Sequence, residues 1–423
     1  MFVHLDLGWM SHPFALSSFR ITDAGQIATI RSLGLARVRW SQDKSVAPAP
    51  VPPPVTSRPA PLADAEPVAP APAPAIERDA QRDALEARHA AVELCKRQHT
   101  EAAQGWRQAA EQSRQDPLGA GHRLGALSTA LVDKMLGSRE VSIRALAGTG
   151  ADPASHALNV GVISLLMGKM CGLPETDLRD LGVGALSHDI GKLELAQRVQ
   201  RPAADFSSAE TAAYREHVAH GVALGRRMGL APGALLVIAQ HHEHCDGSGF
   251  PLGLDVNRMS VAARMVALVN RYDNLCHPVQ PARPMTPHEA LSRLFAQGKH
   301  QYDATLLTSF VRMMGVYPPG SVVQLTDGRY ALVDSVNSSR PLKPRVLVHD
   351  PCLSNDAALL VDLETEPELG IRRSLPAAQI PRAAMDVLMP PLRMSWYFEA
   401  SDDPVPGQDE DDLSVGLEPP PQQ

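Results

Sequence analysis

Hydrophobic positions follow three different patterns along the chain. Residues 120–315 show repeated helical periodicity, as in "HALNVGVISLLMGKMCG" and "SVAARMVALVNRYDNL", and several of these segments close on a glycine. Residues 1–46 combine strand-like segments such as "VHLDL" and "LARVRW" with one helical segment, "DAGQIATIRSLG". After Met314, "SVVQL" and "RYALVDSV" flank a Thr-Asp-Gly turn, which predicts a β-hairpin.

Two further segments lack any such periodicity. Residues 48–74 hold 11 of the 37 prolines, which block helix and sheet hydrogen bonds and predict an extended linker. The end of the chain is acidic and contains proline, which predicts disorder. We therefore predict a mainly α protein with a small α+β N-terminal module (1–46), a Pro/Ala-rich linker (47–76), a long helix (77–119), an all-helical domain (120–315), a small β-rich C-terminal domain (316–400) and a disordered tail (401–423).

The predicted long helix has two interpretations. Its apolar stripe is thin, consisting of Leu85, Val92 and Leu94 with a few alanines. In the first interpretation the helix only packs against the next domain. In the second it transmits a signal or pairs with a second copy of the chain. Both remain open at this stage.

Composition limits the classes of partner. The 423 residues are 44% hydrophobic, which is enough for a sizeable core and roughly two or three domains. The formal net charge of −7 gives no overall basic field, so we expect no nucleic acid polymer and no anionic membrane surface as a partner. If the ligand is a phosphate, its positive counter-charge must be local.

Cysteine usage and hydropathy indicate the compartment. The five cysteines are scattered, without a CxxC pair, as expected for reduced thiols. No stretch approaches the ~20 apolar residues that span a bilayer, and the start of the chain does not resemble a signal peptide. We therefore expect a soluble, cytoplasmic protein without membrane insertion.

Histidines are concentrated between residues 150 and 250, where seven of the 16 lie. A single histidine is usually packed or solvated, but "SHDIGK" places His188 directly before Asp189 at the end of an apolar helix. Imidazole and carboxylate together suit zinc, iron or manganese, and a carboxylate can bridge two cations. Asp152 precedes His156 by one helical turn, so both can face one pocket.

A second histidine-rich segment, "HHEHCDGSGFP", begins at His241. The pair His241 and His242 ends the apolar helix "ALLVIAQHH", where buried imidazoles are costly unless they are paired or bound to metal. The turn "GSGFP" can bring the backbone close to a ligand. His220 lies three residues after His217 and competes with it for a ligand position, an alternative that the sequence leaves open.

The ordered pair "HDIGK" and "HHExxDGxGFP" resembles the HD-GYP family of bacterial phosphodiesterases, a branch of the HD superfamily. In addition, "VHLDLGWMSHPF" resembles the small domain of unknown function that often precedes this domain. The resemblance implies an all-helical HD-type catalytic domain with two or three divalent metal ions, iron or manganese. It also implies hydrolysis of cyclic di-GMP to linear pGpG and, in some members, onward to GMP.

The resemblance assigns roles to individual residues. Asp189 would bridge two metals, and Lys192 matches the lysine that contacts the scissile phosphate. Asp152 stands where members with a third metal often have glutamate. Phe250 replaces the tyrosine of the signature loop, which keeps the ring and loses the hydroxyl. The implied metal ligands are His156, His188, Asp189, His217, His241 and His242, and the loop residues near substrate are Gly247, Gly249, Phe250 and Pro251.

Two positions depart from the family pattern. Asn270 occupies the place where the family offers an aspartate to the first metal, and Arg283 is only a rough counterpart of the arginine in the "RPY" segment near substrate. Three hypotheses follow. The protein is an active cyclic di-GMP phosphodiesterase, or a catalytically weakened sensor or scaffold that engages a signalling protein partner, or a phosphohydrolase acting on another nucleotide. The "DGSGFP" loop argues against the third.

Overall fold

We describe the protein from a computed structural model. The structure describes residues 2–4, 18–21, 27, 30–31, 35, 37–41, 75–138, 140–148, 152–203, 205–278, 284–337, 340–351, 358–388, 390 and 393–401. Arg283, most of the predicted linker and, apart from Ser401, the predicted disordered tail lie outside these residues.

In its described residues, the N-terminal module contains three short strands. They are β1 (Phe2–His4), β2 (Ser18–Arg20) and β3 (Arg39–Ser41). β1 lies in the middle and pairs antiparallel with both neighbours. Val3 and Ile30 form a small buried cluster with partly buried Ile21, Leu35 and Val38.

Helices dominate the middle of the chain, as predicted. Most are capped at the N-terminus by an Asp, Ser or Thr side chain or begin at a proline. The helices are α1 (Ala75–Gln112), α2 (Pro117–Leu136), α3 (Pro153–Met170), α4 (Glu175–Ser187), α5 (Ser208–Arg215), α6 (His217–Arg227), α7 (Pro232–Gln240), α8 (Val261–Cys276), α9 (Pro287–Gln297) and α10 (Ala304–Met314).

Helix α3 is the centre of this helical region. Its side chains are buried on almost every face, and it contacts α4, α8 and α1. Its continuous apolar sequence, rather than a one-sided stripe, is what a fully enclosed helix requires. Of the helices in the described part of the chain, none combines the length and apolar character needed to cross a membrane.

A seven-stranded antiparallel sheet follows in sequence, and one of its strands comes from the helical region. The predicted hairpin is confirmed: β5 (Val322–Leu325) pairs with β6 (Tyr330–Asn337) around a turn in which Gly328 has φ of +92°. The other strands are β4 (Glu140–Ala147), β7 (Arg345–His349), β8 (Ala358–Asp362), β9 (Ile371–Ser374) and β10 (Met394–Ser401), with a short helix α11 (Arg382–Leu388) before the last.

Strand β4 is a feature that the sequence analysis did not predict. It lies between α2 and α3 in the chain, yet it pairs along its whole length with β10, with Glu140 opposite Ser401 and Ala147 opposite Met394. On its other side it pairs with β6. The C-terminal sheet is therefore built into the helical region rather than attached beside it.

A buried ionic network strengthens this junction. Arg144 on β4 is 2% exposed and donates to Asp334 on β6 and to Glu399 on β10. Arg88 on α1 donates to the same Asp334 at 2.7 Å. Because an unpaired buried charge is costly, these partners depend on one another. The network links the long helix to three strands of the sheet.

Candidate metal site

Five helical elements bring their ends to one place. His156 lies in the first turn of α3, and His188 and Asp189 follow the end of α4. His217 begins α6, while His241 and His242 follow the end of α7. Asp189 in turn precedes a 3₁₀ helix, Ile190–Glu194, that carries Lys192. The structure thus brings together all six residues that the resemblance implies as ligands.

Asp189 divides this cluster into two halves. In the first half, its Oδ2 lies 3.6 Å from His156 Nε2 and 3.5 Å from His188 Nε2. In the second half, which also contains His242, its Oδ1 lies 3.6 Å from His217 Nε2 and 3.7 Å from His241 Nε2. Within each half the ligand atoms lie within 4.8 Å of one another. One carboxylate therefore offers a different oxygen to each half.

Three of the imidazoles are oriented by backbone carbonyls three residues earlier in the chain. His188 Nδ1 lies 2.7 Å from the carbonyl of Ala185, and His241 Nδ1 lies 2.8 Å from that of Ile238. His217 Nδ1 lies 2.6 Å from the carbonyl of Tyr214. A proton on Nδ1 leaves the Nε2 lone pair free, which is the tautomer that a metal ligand needs.

Burial favours the neutral form of three imidazoles of the cluster, those of His188, His217 and His242. It lowers the pKa of His188 to about 3 and that of His217 to about 4. Burial also holds the pKa of His242 well below its usual range. Since a metal binds only the deprotonated imidazole nitrogen, the cluster does not have to lose protons from these groups first.

His156 is oriented differently from the other imidazoles, by a side chain of another helix. Its Nδ1 lies 2.6 Å from Oδ2 of Asp273 on α8. Asp273 is 1% exposed, and its Oδ1 accepts from Asn159 Nδ2 at 2.9 Å and lies 3.0 Å from His277 Nδ1. Although burial lowers the pKa of His156, the bond to Asp273 raises it above its usual value.

Asp273 was not among the site residues predicted from the sequence. It stands three residues after Asn270 in "MVALVNRYDNL", one helical turn away, so its spacing offered a signal. Asn270 is buried, and its amide oxygen accepts from Asn274 Nδ2 at 2.6 Å. In the described part of the chain, Asp273 is the residue of α8 that contacts a histidine of the cluster, through its bond to His156. The role of Asn270 as a metal ligand stays a prediction.

Asp152 caps the helix that carries His156. Its carboxylate accepts from Ala154 N at 2.9 Å and Ser155 Oγ at 2.7 Å and lies 3.3 Å from Arg107 Nη2. Burial raises its pKa, but the bond from Ser155 and these other contacts lower it overall. Asp152 shares a cavity with His156, and its role toward a third metal stays a prediction.

Lys192 places a positive charge beside the shared carboxylate. Its Nζ lies 2.6 Å from Asp189 Oδ2 and 5.4 Å from the centre of the Tyr214 ring. Burial lowers the pKa of Lys192, but the charge of Asp189 raises it above its usual value. The ammonium group therefore stays charged next to the first half of the cluster.

The signature loop closes over the second half. The Phe250 ring stacks on His242, with centroids 4.4 Å apart and an angle of 18°. Gly247 has φ of +77°, and a Cβ on Gly249 would lie 2.4 Å from His244 N, so both positions favour glycine. Pro251 follows Phe250 and lines, with it, a groove of about 540 Å³.

Glu243 braces this loop, which the sequence analysis did not foresee. It is 1% exposed, and its two oxygens accept from Leu252 N at 2.7 Å and Leu254 N at 2.9 Å.

His220, the alternative to His217, is exposed, whereas His217 is fully buried in the cluster. The spacing in the sequence could not separate these two histidines, but their burial does.

A cavity of about 150 Å³ opens on the first half. Trp106 of α1 lines it and donates its Nε1 hydrogen to the carbonyl of Leu186 at 2.7 Å. Met394 of β10 lines it from another side, and Arg201 adds a positive charge that the sequence analysis did not single out. The cavity wall therefore includes residues outside the predicted 120–315 unit.

The residues present fit a pair of divalent cations. Asp189 Oδ1 and His242 Nε2 are buried and have no hydrogen-bond partner among the described residues. Buried polar atoms without partners are rare and costly, so these two atoms indicate a missing ligand. Imidazole and carboxylate donors suit zinc, iron or manganese.

Family models match most of the N-terminal and helical parts of the chain. Residues 135–306 match the HD domain model, and residues 1–122 match a domain of unknown function, DUF3391. The first match spans every histidine and the aspartate of the cluster. The second extends beyond the three-stranded module to include α1.

Known proteins resemble the helical part. Cyclic di-GMP phosphodiesterase PA4108 of Pseudomonas aeruginosa is 28% identical over 194 residues, which are 46% of this chain and 47% of that protein. The 3'3'-cGAMP-specific phosphodiesterase 2 of Vibrio cholerae is 25% identical over 158 residues, 37% of this chain and 30% of that protein. The chain thus matches half or less of each relative. A solved structure that is similar to this chain is Bd1817, an HDG"Y"P protein from Bdellovibrio bacteriovorus. The match covers 56% of this chain and 79% of the Bd1817 chain, with 18% identity and a TM-score of 0.42.

Proposed function

We propose that this chain, whose residues 135–306 match an HD domain model, is a metal-dependent phosphodiesterase that hydrolyses cyclic di-GMP to linear pGpG. One observation carries the proposal: Asp189 presents Oδ2 to His156 and His188 and Oδ1 to the histidines of the second half. A carboxylate shared in this way suits two cations, and paired cations are typical of phosphodiester hydrolysis.

The metals we propose are iron or manganese. His156 and His188 with Asp189 would hold one ion, and His217, His241 and His242 with Asp189 would hold the other. Such ions supply an activated water nucleophile and positive charge for the phosphate. The protein contributes the fixed tautomers described above, and Lys192 adds a charge that does not depend on metal.

The substrate is proposed from the cavity and the relatives. At about 150 Å³ the cavity is smaller than the ~300–1,000 Å³ typical of pockets that enclose a whole small molecule. It suits the reacting phosphate, and the rest of a dinucleotide would lie across the opening. Lys192 and Arg201 line the cavity and supply the local positive charge that an acidic chain otherwise lacks. The relatives named above act on cyclic dinucleotides according to their names.

A second candidate is a sensor that binds cyclic di-GMP with little turnover. Asn270 favours this candidate, because it places an uncharged amide where the HD-GYP family, which the sequence resembles, has an aspartate. In addition, the amide oxygen of Asn270 already accepts a hydrogen bond from Asn274. In this case the nucleotide would bind at the same cavity, and the flanking domains would transmit the signal to a protein partner.

The deciding experiment combines metal analysis with an assay of hydrolysis. The protein is purified without oxygen, its iron and manganese are measured, and the same sample is incubated with cyclic di-GMP and, separately, with 3'3'-cGAMP. We expect two equivalents of metal and faster hydrolysis of cyclic di-GMP. His217→Ala should lose activity, while the matched control His220→Ala should retain it, because His220 is exposed outside the cluster.

The outcomes separate the candidates. Binding of cyclic di-GMP without hydrolysis by the metal-loaded protein supports the sensor. Faster hydrolysis of 3'3'-cGAMP than of cyclic di-GMP would change the proposed substrate but not the proposed reaction class. Full activity in His217→Ala protein with the metal content unchanged would reject the proposed site.

A further inference from the structure

We infer that strand β10 of the C-terminal sheet supports the first half of the metal site, and that Asn159 and His277 are positioning residues that connect β10 to Asp273 and His156. The inference rests on the metal site proposed above, but not on the identity of the nucleotide. It assigns a role in the site to a region far from the signature motifs in sequence.

The first connection runs through Asn159 on α3. The backbone N–H of Trp396 on β10 donates to Asn159 Oδ1 at 3.0 Å. The amide nitrogen of Asn159 donates to Asp273 Oδ1 at 2.9 Å. Since an amide has its acceptor on one side and its donor on the other, the N–H from β10 fixes which side faces Asp273.

The second connection runs through His277 at the end of α8. Its Nε2 accepts from the backbone N–H of Met394 on β10 at 3.4 Å, and its Nδ1 lies 3.0 Å from Asp273 Oδ1. One neutral tautomer satisfies both contacts, with the proton on Nδ1. The ring also packs against Trp396, with centroids 5.1 Å apart. Both connections therefore start on β10 and end on the same carboxylate oxygen.

Burial makes these contacts decisive for the carboxylate. Asp273 is 1% exposed, Asn159 is 2% exposed and Trp396 is fully buried. A buried carboxylate that loses a donor keeps its charge with one fewer partner, so we expect it to move or to change its protonation. Movement of Asp273 would release the Nδ1 hydrogen of His156 and, with it, the direction of the Nε2 lone pair.

The two halves should respond differently to loss of this support. In the second half, His217 and His241 donate to carbonyls three residues earlier in the chain, and within the described part of the chain neither has a hydrogen bond or ion pair with β10. Removing a donor to Asp273 should therefore weaken one metal and leave the other. General destabilisation of the fold would instead affect both.

The test uses near-isosteric variants and Mn²⁺ as the probe, without nucleotide. His277→Phe keeps a ring against Trp396 and removes both nitrogen contacts, while Asn159→Leu keeps side-chain volume and removes the amide. His277→Asn serves as the conservative variant, because its amide nitrogen can take the place of Nδ1. His288→Phe is the matched control: His288 on α9 donates to the carbonyl of Val316 at 2.8 Å and stacks on Tyr317, away from the cluster.

Mn²⁺ binding is followed by titration and by electron paramagnetic resonance, together with the melting temperature of each metal-free protein. We expect two Mn²⁺ ions with a spin-coupled signal in wild type and in His288→Phe. His277→Phe and Asn159→Leu should bind one Mn²⁺ about 10–100-fold more weakly, the usual effect of losing an outer partner of a ligand. The other ion should bind as in wild type, and His277→Asn should restore part of the loss.

Three results would overturn the inference. One is unchanged binding of both ions in His277→Phe and Asn159→Leu. Another is equal weakening of both ions in step with the melting temperature, which would indicate a purely structural role. The third is the absence of Mn²⁺ binding by wild type. A wild type that binds two ions but hydrolyses no cyclic di-GMP would contradict only the proposed function.

Discussion

The two halves of the histidine cluster share Asp189 but are held in place in different ways. In the second half, His217 and His241 are oriented by carbonyls three residues earlier in the chain. In the first half, His156 is oriented by Asp273, which is 117 residues away in sequence. His217 and His241, like His188 of the first half, therefore depend on local backbone geometry, whereas the orientation of His156 depends on tertiary structure.

The difference means that the two halves should fail under different changes. A carbonyl one turn earlier remains in place as long as its helix exists, so ordinary side-chain substitutions cannot remove it. A carboxylate held by Asn159 and His277 depends on three elements that must pack correctly. Variants that affect one half and not the other therefore test the comparison directly.

The largest expected effect comes from Asp189→Ala, which removes the group common to both halves. Loss of an outer partner already costs about 10–100-fold in affinity or activity. We therefore expect more than about 100-fold loss of hydrolysis and loss of both metals. Metal analysis of the purified variant is the check, and two tightly bound ions in Asp189→Ala protein would contradict the shared-carboxylate interpretation.

The next effect in size is that of Asp273→Asn, which should separate the halves. The amide keeps the size of the side chain but removes the charge that His156 contacts at 2.6 Å. We expect the first ion to bind about 10–100-fold more weakly, with the second unchanged. Calorimetric titration of Asp273→Asn and wild-type protein with Mn²⁺ measures the affinities of the two ions. Equal weakening of both ions would contradict the different support of the two halves.

Asn270→Asp should strengthen metal binding, whereas the two substitutions above should weaken it. If Asn270 faces the first metal as the resemblance implies, the restored charge should raise the metal-to-protein ratio and lower the metal concentration needed for half-maximal hydrolysis. The two quantities are measured on the same preparation. If neither changes, Asn270 serves only its contact with Asn274, and the first half relies on Asp273 alone on this helix.

The smallest expected effect is that of Arg201→Gln, which should leave both halves intact. Arg201 lines the cavity and is exposed, so its contribution to binding a phosphate is limited by solvent screening. We expect the KM for cyclic di-GMP to rise by at most about 5-fold, the equivalent of ~1 kcal/mol for an exposed ion pair. Metal content should not change, and a change in it would place Arg201 in the metal site instead.

The sequence predicted the parts of the site that local pattern determines. His188 and Asp189 are adjacent, and His241 and His242 are adjacent at the end of an apolar helix, so their partnership was visible without a fold. The helical periodicity around α3 and the Asp-Gly hairpin were visible for the same reason.

What the sequence did not predict depends on residues that meet only in three dimensions. The spacing left His217 and His220 equivalent, and only their opposite exposure distinguishes them. Asp273 contributes through His156 and Asn159, which no sequence motif places beside it. Strand β4 lies between two helices, and its partner β10 lies near the other end of the chain, so the pattern around β4 gave no signal for the sheet.

The pairing of β4 with β10 has a consequence for the order of events during synthesis. Ala147 pairs with Met394, so the 246 residues that lie between the two partners must be made first. At about 5–20 residues per second this takes on the order of 10–50 s. In the later part of that interval the histidines of the second half have been made, whereas the strand that steadies His156 has not. A nascent chain should therefore acquire its two metal positions at different times, the one near His217 first.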